Sequence, residues 1–267
     1  MKLSGQVRKM KVEPETPIQY FLDLNKESHS LNSFIGSNLN IKWEGKITCV
    51  ECGRKTKKSY DQGYCFVCSR DLPENEMCSV RPELCDHENG NEAAKEFWRT
   101  YCNIDHFVYL SLTSGVKVGI TRHYNIPDRW IDQGAVKGLI IAKVPERILS
   151  GKIETAVSKN FADKTNWRKM LKSEYEDLDL LEYREKAHEL FPEDLKCYAL
   201  ENEGIQELVY PVESVPEKIT SHNLDKNPEF EDRLTGIKGQ YLIFETRVIN
   251  IRKYSGYHLQ FDFLDVD

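Results

Sequence analysis

The sequence predicts an α+β chain, and three observations carry that prediction. Short alternating apolar runs crowd the two ends, where residue types suit a half-buried strand. Between them, two more such runs, Phe107–Leu112 and Val116–Thr121, are separated around Gly115 and read as a hairpin, followed by a third run at Leu139–Val144 and a helix-like segment after Pro145. A pair of Cys-x-x-Cys turns at residues 49–68 closes a small module of its own. The expected architecture is a three-stranded sheet with helices at the centre, flanked by the cysteine module and by terminal β segments.

Taken in order, Ile18, Tyr20, Leu22 and Leu24 alternate with Gln19, Phe21 and Asp23, and Asn40–Trp43 and Lys46–Thr48 are broken at Gly45. Nothing in residues 1–48 is catalytic in type. Cys49 and Cys52 are followed after twelve residues by Cys65 and Cys68. Two such pairs suit four thiolates around one tetrahedral zinc, and Gly53 and Gly63 supply backbone freedom for the turns. With four thiolates the coordination is full, so this zinc is expected to be structural; the segment resembles a zinc ribbon. Residues 71–106 are irregular. A second zinc is expected from Cys78, Cys85, Cys102 and one histidine, with His106 taken as that histidine; an irregular linker with incidental cysteines is the alternative.

Residues 173–195 carry Leu178, Leu181, Ala187 and Leu190 near helical spacing among acids and read as an amphipathic helix. Short strands are expected at Tyr198–Leu200 and Leu208–Tyr210, and a long one beginning at Gly239. Arg247–Ile251 and Tyr257–Phe263 follow, with Leu259, Phe261 and Phe263 alternating with polar residues. The expected organisation is an N-terminal β segment (1–48), a zinc-binding region (49–106), a central domain (107–172), and an acidic helix with a C-terminal β domain (173–267).

The net charge of −6 conceals a division. Residues 1–106 are net −1, residues 107–172 hold 12 basic and 5 acidic side chains for a net +7, and residues 173–267 are net −12. A local basic excess suits a phosphate-binding surface better than the alternative, a solvated helix face, because it coincides with the central segment. Arg122, Lys164, Arg168 and Lys169 are the expected nucleic-acid contacts. No apolar run is long enough to cross a bilayer, and Met1–Glu15 has no apolar h-region, so a cytoplasmic protein with no membrane partner is expected. Eight cysteines then suggest metal ligands more than disulfides.

The segment from His106 to Lys172 resembles the GIY-YIG nuclease superfamily. Tyr109 in Val-Tyr-Leu, Lys117-Val118-Gly119, then Arg129, Glu154 and Asn166 stand in the order of that superfamily's site. Lys117 departs from the second tyrosine that many members keep. The resemblance implies a Mg²⁺- or Mn²⁺-dependent endonuclease. In it Glu154 holds the metal, Arg129 binds the scissile phosphate, Tyr109 orients or deprotonates water, Lys117 stabilises charge and Asn166 fixes local geometry. Read singly, each has a plainer explanation: a core tyrosine, a cation–π pair of Arg129 with Trp130, a solvated glutamate, a helix-capping asparagine. The whole chain, with KKSYDQGYC, RPELC, KVGITR, RWIDQGA, DKTNWRKML and GIKGQYL, also resembles an uncharacterised bacterial family, a domain of unknown function related to GIY-YIG proteins. Against that family's pattern, Asp86 and the lack of a cysteine between Cys85 and Cys102 shift the second site's last ligand to His87 or His106. The expected function is an endonuclease acting on DNA or RNA. The alternatives are a zinc-containing nucleic-acid-binding protein without catalysis, and a protein–protein interaction module.

Overall fold

A strand with one apolar face needs neighbours to cover it, and the N-terminal strands find theirs at the far end of the chain. The computed structural model describes residues 1–161 and 165–264. It divides the chain into two units, Met1–Arg70 with Val209–Asp267, and Asp71–Leu208. The first unit opens with β1 (Lys2–Gln6), β2 (Lys11–Glu13), β3 (Gln19–Leu24), β4 (Glu27–Ser30) and β5 (Asn38–Ile47). Strands β2, β3 and β4 form an antiparallel sheet of their own. Asn25 and Lys26 join β3 to β4 with φ of 53° and 73°, the left-handed pair that a two-residue hairpin requires. The cysteine module follows β5 and ends in α1 (Phe66–Asp71).

The second unit begins with a chain of short 3₁₀ turns and α2 (Glu92–Phe97), whose N-terminus is capped by Asn91 accepting from the Ala94 amide at 3.0 Å. The helix runs directly into a π turn at Trp98–Cys102. Next come β6 (His106–Leu112), β7 (Val116–Arg122), α3 (Asp128–Asp132), β8 (Lys137–Val144), α4 (Arg147–Ser158), α5 (Trp167–Leu171), α6 (Leu180–Glu189) and β9 (Gln206–Glu207). The strands form one antiparallel sheet in the order β7-β6-β8-β9. Its core joins Val108, Leu110 and Leu112 of β6 and Leu139 and Ile141 of β8 to Ile153 and Val157 of α4 and Leu180 and Ala187 of α6. The four-residue spacing of Ile153 and Val157 aims both at the sheet and leaves Lys152 and Thr155 in solvent. The expected strands at Tyr198–Leu200 and Leu208–Tyr210 are not formed. Ala199 makes only an isolated bridge to Ala142, and the edge strand β9 lies between the two, two residues long.

The chain then returns to the first unit through β10 (Glu229–Lys238), β11 (Tyr241–Phe244), β12 (Val248–Asn250) and β13 (Tyr257–Phe263). With β1 and β5 they make a six-stranded antiparallel sheet ordered β1-β13-β5-β10-β11-β12. Strand β13 lies between β1 and β5 and buries Tyr257, Leu259, Phe261 and Phe263, and Phe263 stacks on Phe34 at 4.1 Å. The long strand expected from Gly239 starts ten residues earlier: Gly239, at φ +60°, is the turn between β10 and β11. Charged Glu229, Glu231 and Arg233 hide that strand in the sequence, because they occupy its outward positions. Among the described residues, no helix is long and apolar enough to cross a membrane.

Candidate metal centres and acid–base cluster

The first centre grows from the end of β5. Gly53, at φ +71°, closes the first turn by donating its amide to the Cys49 carbonyl at 3.0 Å. The Ser69 amide closes the second by donating to the Cys65 carbonyl at 2.9 Å, and Gly63 makes the turn that leads into it, its amide donating to the Tyr60 carbonyl at 3.0 Å. The ligand atoms of Cys49, Cys52, Cys65 and Cys68 lie within 4.8 Å of one another, and the Cys52 and Cys65 sulfurs are 3.8 Å apart. A tetrahedron with zinc–sulfur bonds of about 2.3 Å has edges of about 3.8 Å, so the quartet has the size of a zinc site. The backbone amide of Arg54 lowers the Cys52 thiol pKa and that of Cys68 lowers Cys65, while burial pushes the Cys68 thiol up to about 12. Four soft donors without a carboxylate fit zinc in a closed, structural role.

The second centre collects in the 3₁₀-rich stretch. Cys78, Cys85 and His87 have ligand atoms within 4.8 Å of one another. The Nδ1 of His87 is 3.8 Å from the Cys78 sulfur, 3.8 Å from that of Cys85 and 3.6 Å from that of Cys102. The thiols share protons unequally: Cys102 and Cys78 pull Cys85 down, and Cys85 in turn drives both of them up. The structure therefore gathers three of the four expected residues around His87. His106 stands apart from them: it starts β6, is buried, and its Nδ1 is hydrogen-bonded to the Ile104 carbonyl at 2.8 Å. Burial lowers its pKa to about 4 and keeps the ring neutral. The departure from the resembled family's cysteine pattern offers His87 or His106, and the distances select His87.

The acid–base cluster draws on four elements of the second unit. Tyr109 of β6 is fully buried, and its ring lies edge-on to Trp130 of α3 at 5.9 Å. Its hydroxyl donates to Gln133 Oε1 at 3.3 Å and also meets the Arg129 side chain. Tyr109 pairs directly with Gly119 of β7. A Cβ at that glycine would stand 2.6 Å from the tyrosine hydroxyl, so the glycine of Lys-Val-Gly is the space in which the ring lies. Burial raises the Tyr109 pKa, and the positive charge of Arg129 opposes the rise. Glu154 projects from α4 into the same electrostatic neighbourhood. Its carboxyl is pushed up to about 7, chiefly by burial, with Arg129 and Lys117 holding it down and Glu83 pushing it further up. Arg129 and Glu154 thus both act on Tyr109, and Arg129 and Lys117 both act on Glu154. Gln133 and Glu83 belong to this neighbourhood and carried no signal in the sequence.

Asn166 is exposed and N-caps α5, its Oδ1 accepting from the Arg168 and Lys169 amides at 3.2 and 3.3 Å. Arg168 lies 4.3 Å over the Trp167 ring, Lys169 is exposed, and Arg122 lies 4.6 Å over the Tyr101 ring. Lys164 lies outside the described residues. A hard divalent cation takes oxygen ligands and is content with one or two carboxylates plus water and phosphate oxygens. Glu154 fits that demand, since cation binding would relieve the cost of ionising a half-buried carboxylate.

The family profile described as protein of unknown function (DUF2797) matches residues 36–259, and the chain belongs to that family. No curated protein and no solved structure matches it.

Proposed function

We propose that this DUF2797 protein is a GIY-YIG-like, Mg²⁺- or Mn²⁺-dependent endonuclease hydrolysing phosphodiester bonds in DNA or RNA. The reading is supported by the Arg129 side chain at the buried Tyr109 hydroxyl and by Glu154 of α4, on whose carboxyl Arg129 of α3 and Lys117 of β7 both act. A divalent ion held by Glu154 would supply charge stabilisation at phosphorus and at the leaving oxygen. The chain's own groups do the rest. Arg129 offers a planar fork of donors to two phosphate oxygens, and Lys117 adds a point charge. The Tyr109 hydroxyl orients the attacking water. Water oxygen bonds to phosphorus as the bond to the leaving sugar oxygen breaks; the proton shed by the attacking water passes to solvent, and solvent returns one to the leaving oxygen. Asn166 caps α5 and would fix the local geometry of the site through that cap.

A nuclease assay on single-stranded, duplex and branched DNA and on RNA, with and without Mg²⁺ or Mn²⁺, tests this. Glu154→Gln keeps the shape and removes the charge. Cleavage should fall by at least about a hundredfold while nucleic-acid affinity holds or rises. Full activity in that variant would refute the reading.

A second reading is a nucleic-acid-binding protein without catalysis. It is favoured by the enclosure of the Tyr109 hydroxyl, which is buried among Gln133, Trp130 and Gly119. Salt-sensitive binding with no cleavage on any substrate selects it. The basic segment should then still show in the salt slope: Arg168→Glu with Lys169→Glu should make the slope shallower by about two if each meets a phosphate.

A further inference from the structure

We propose that Cys78, Cys85, Cys102 and His87 bind a second structural zinc through His87 Nδ1, and that this zinc clamps the loop Ser79–Leu84 onto α4.

Four observations build the site. The three sulfurs stand 3.6–3.8 Å from one nitrogen, His87 Nδ1, the nitrogen that Cys78, Cys85 and Cys102 share; Cys78 alone also lies 3.6 Å from Nε2. Zinc–sulfur bonds of about 2.3 Å and a zinc–nitrogen bond of about 2.0 Å at tetrahedral angles place sulfur and nitrogen about 3.6 Å apart. The other ring nitrogen, Nε2, faces the Glu76 carboxylate at 3.0 Å. A zinc-bound histidine characteristically donates its second N–H to a carboxylate, which fixes the tautomer and leaves the first nitrogen free to ligate. The ring is held in place by Phe97, which meets it edge-on at 5.1 Å. Finally, the π turn sets Cys102. Its i→i+5 bond, from the Asn103 amide to the Trp98 carbonyl at 2.8 Å, widens the last turn and brings the buried Cys102 side chain to the histidine.

The consequence lies in what the two outer cysteines hold between them. Cys78 and Cys85 bracket Ser79–Leu84, and both ends of that loop would be tied to one metal. Arg147, the first residue of α4, donates to the Cys78 carbonyl at 2.8 Å and to that of Ser79 at 3.4 Å. One turn on, the backbone of Pro82–Glu83 presses on Gly151 so closely that a Cβ there would stand 2.4 Å from the Glu83 amide nitrogen. Glu154 follows three residues later, on the neighbouring part of the same face. The zinc assignment stands on the thiols and imidazole alone. Its bearing on the position of Glu154 matters for catalysis only if the endonuclease reading holds.

The full chain should carry two zinc ions by elemental analysis. Cys102→Ser and His87→Ala should each bring the count to one, as should Cys49→Ser, which acts at the other centre. Cobalt(II) substituted for the second ion should show a three-sulfur, one-nitrogen spectrum that His87→Ala abolishes. Glu76→Gln is a conservative change that does not depend on a ligand: chelator competition should release one of its two zinc ions about 10–100-fold more readily than in the parent. Hydrogen exchange in Arg147–Glu154 should speed when that ion leaves. One zinc per chain, two retained in Cys102→Ser, or a chelation curve unmoved by Glu76→Gln overturns the proposal. None of these readings depends on cleavage, so a protein with two zincs and no nuclease activity refutes only the endonuclease.

Discussion

At the residue scale the candidate site is a set of charges that burial makes expensive. Burial raises the Glu154 carboxyl to about 7 and raises the Tyr109 hydroxyl above its ordinary value. Such perturbed groups mark functional sites more often than chance, though structural networks do the same. Gly119 is the residue whose role was least visible beforehand. Lys-Val-Gly reads as a motif, yet the physical reason for its glycine lies on the neighbouring strand, in the Tyr109 ring that occupies the place of a side chain. Gly119→Ala should therefore displace the ring and destabilise the fold by about 1–3 kcal/mol in denaturant unfolding, the cost of overpacking a filled interior. A second buried ionisable group, Lys238 of β10, makes a pH prediction. Burial lowers its pKa from 10.5 to about 8, and its ammonium lies 5.1 Å over the Tyr210 ring. Between pH 8 and 10.5 the unfolded chain binds the proton and the folded chain does not, so this group makes stability rise with pH across that window. Below pH 8 the cost is present in full, about 3 kcal/mol at most. Lys238→Met should raise stability at pH 7 by up to that amount and flatten the rise between pH 8 and 10.5. A difference between variant and parent that is the same at pH 7 and pH 10.5 would count against it.

At the element scale, the readable features were those with a period. Ile153 and Val157 place α4 by their spacing, and the alternation in β13 announces which side faces the core. Strand β10 has no such clarity, because Ile41, the cross-strand partner of the buried Phe230, lies nearly two hundred residues away in β5. The second centre was half legible for a similar reason. Its cysteines could be counted, but the choice of His87 over His106 depends on 3₁₀ and π turns that have no periodic signature. Helix α5 offers the sharpest test of a role. Asn166 caps it, and Asn166→Ala should cost about 1 kcal/mol, within the usual range for a lost cap. Asn166→Asp keeps an acceptor oxygen and adds negative charge at the helix N-terminus, so stability should be retained or improved. If cleavage survives in the Asp variant, Asn166 acts through the cap. Loss of cleavage in a variant of full stability would assign it a direct part in the site.

At the scale of the whole molecule, the four-cysteine module is a fastener for the first unit. It leaves β5 at Thr48, whose amide donates to the Gly256 carbonyl at 2.8 Å and whose hydroxyl meets His258 Nε2 of β13 at 2.8 Å. Gln6 of β1 reaches the Thr48 carbonyl at 2.9 Å, and Ser59 donates to the Ser255 carbonyl at 2.8 Å. The two turns therefore touch the place where the N-terminal strands meet the C-terminal ones, a pairing that must close over most of the chain's length. A closure of that span costs conformational entropy, and a metal bound only by the folded arrangement contributes its binding free energy to folding. Serine at both Cys49 and Cys52 should remove this zinc and lower the unfolding free energy by several kcal/mol. The loss should be local first: hydrogen exchange should accelerate at Thr48, Val50 and Gly256, whose amides are held within or beside the module. Adding zinc back should restore the parent protein after chelation but leave the double-serine variant unchanged. If the variant keeps the parent's melting temperature and its amide protection, the sheet closes without the metal and the fastening role is wrong.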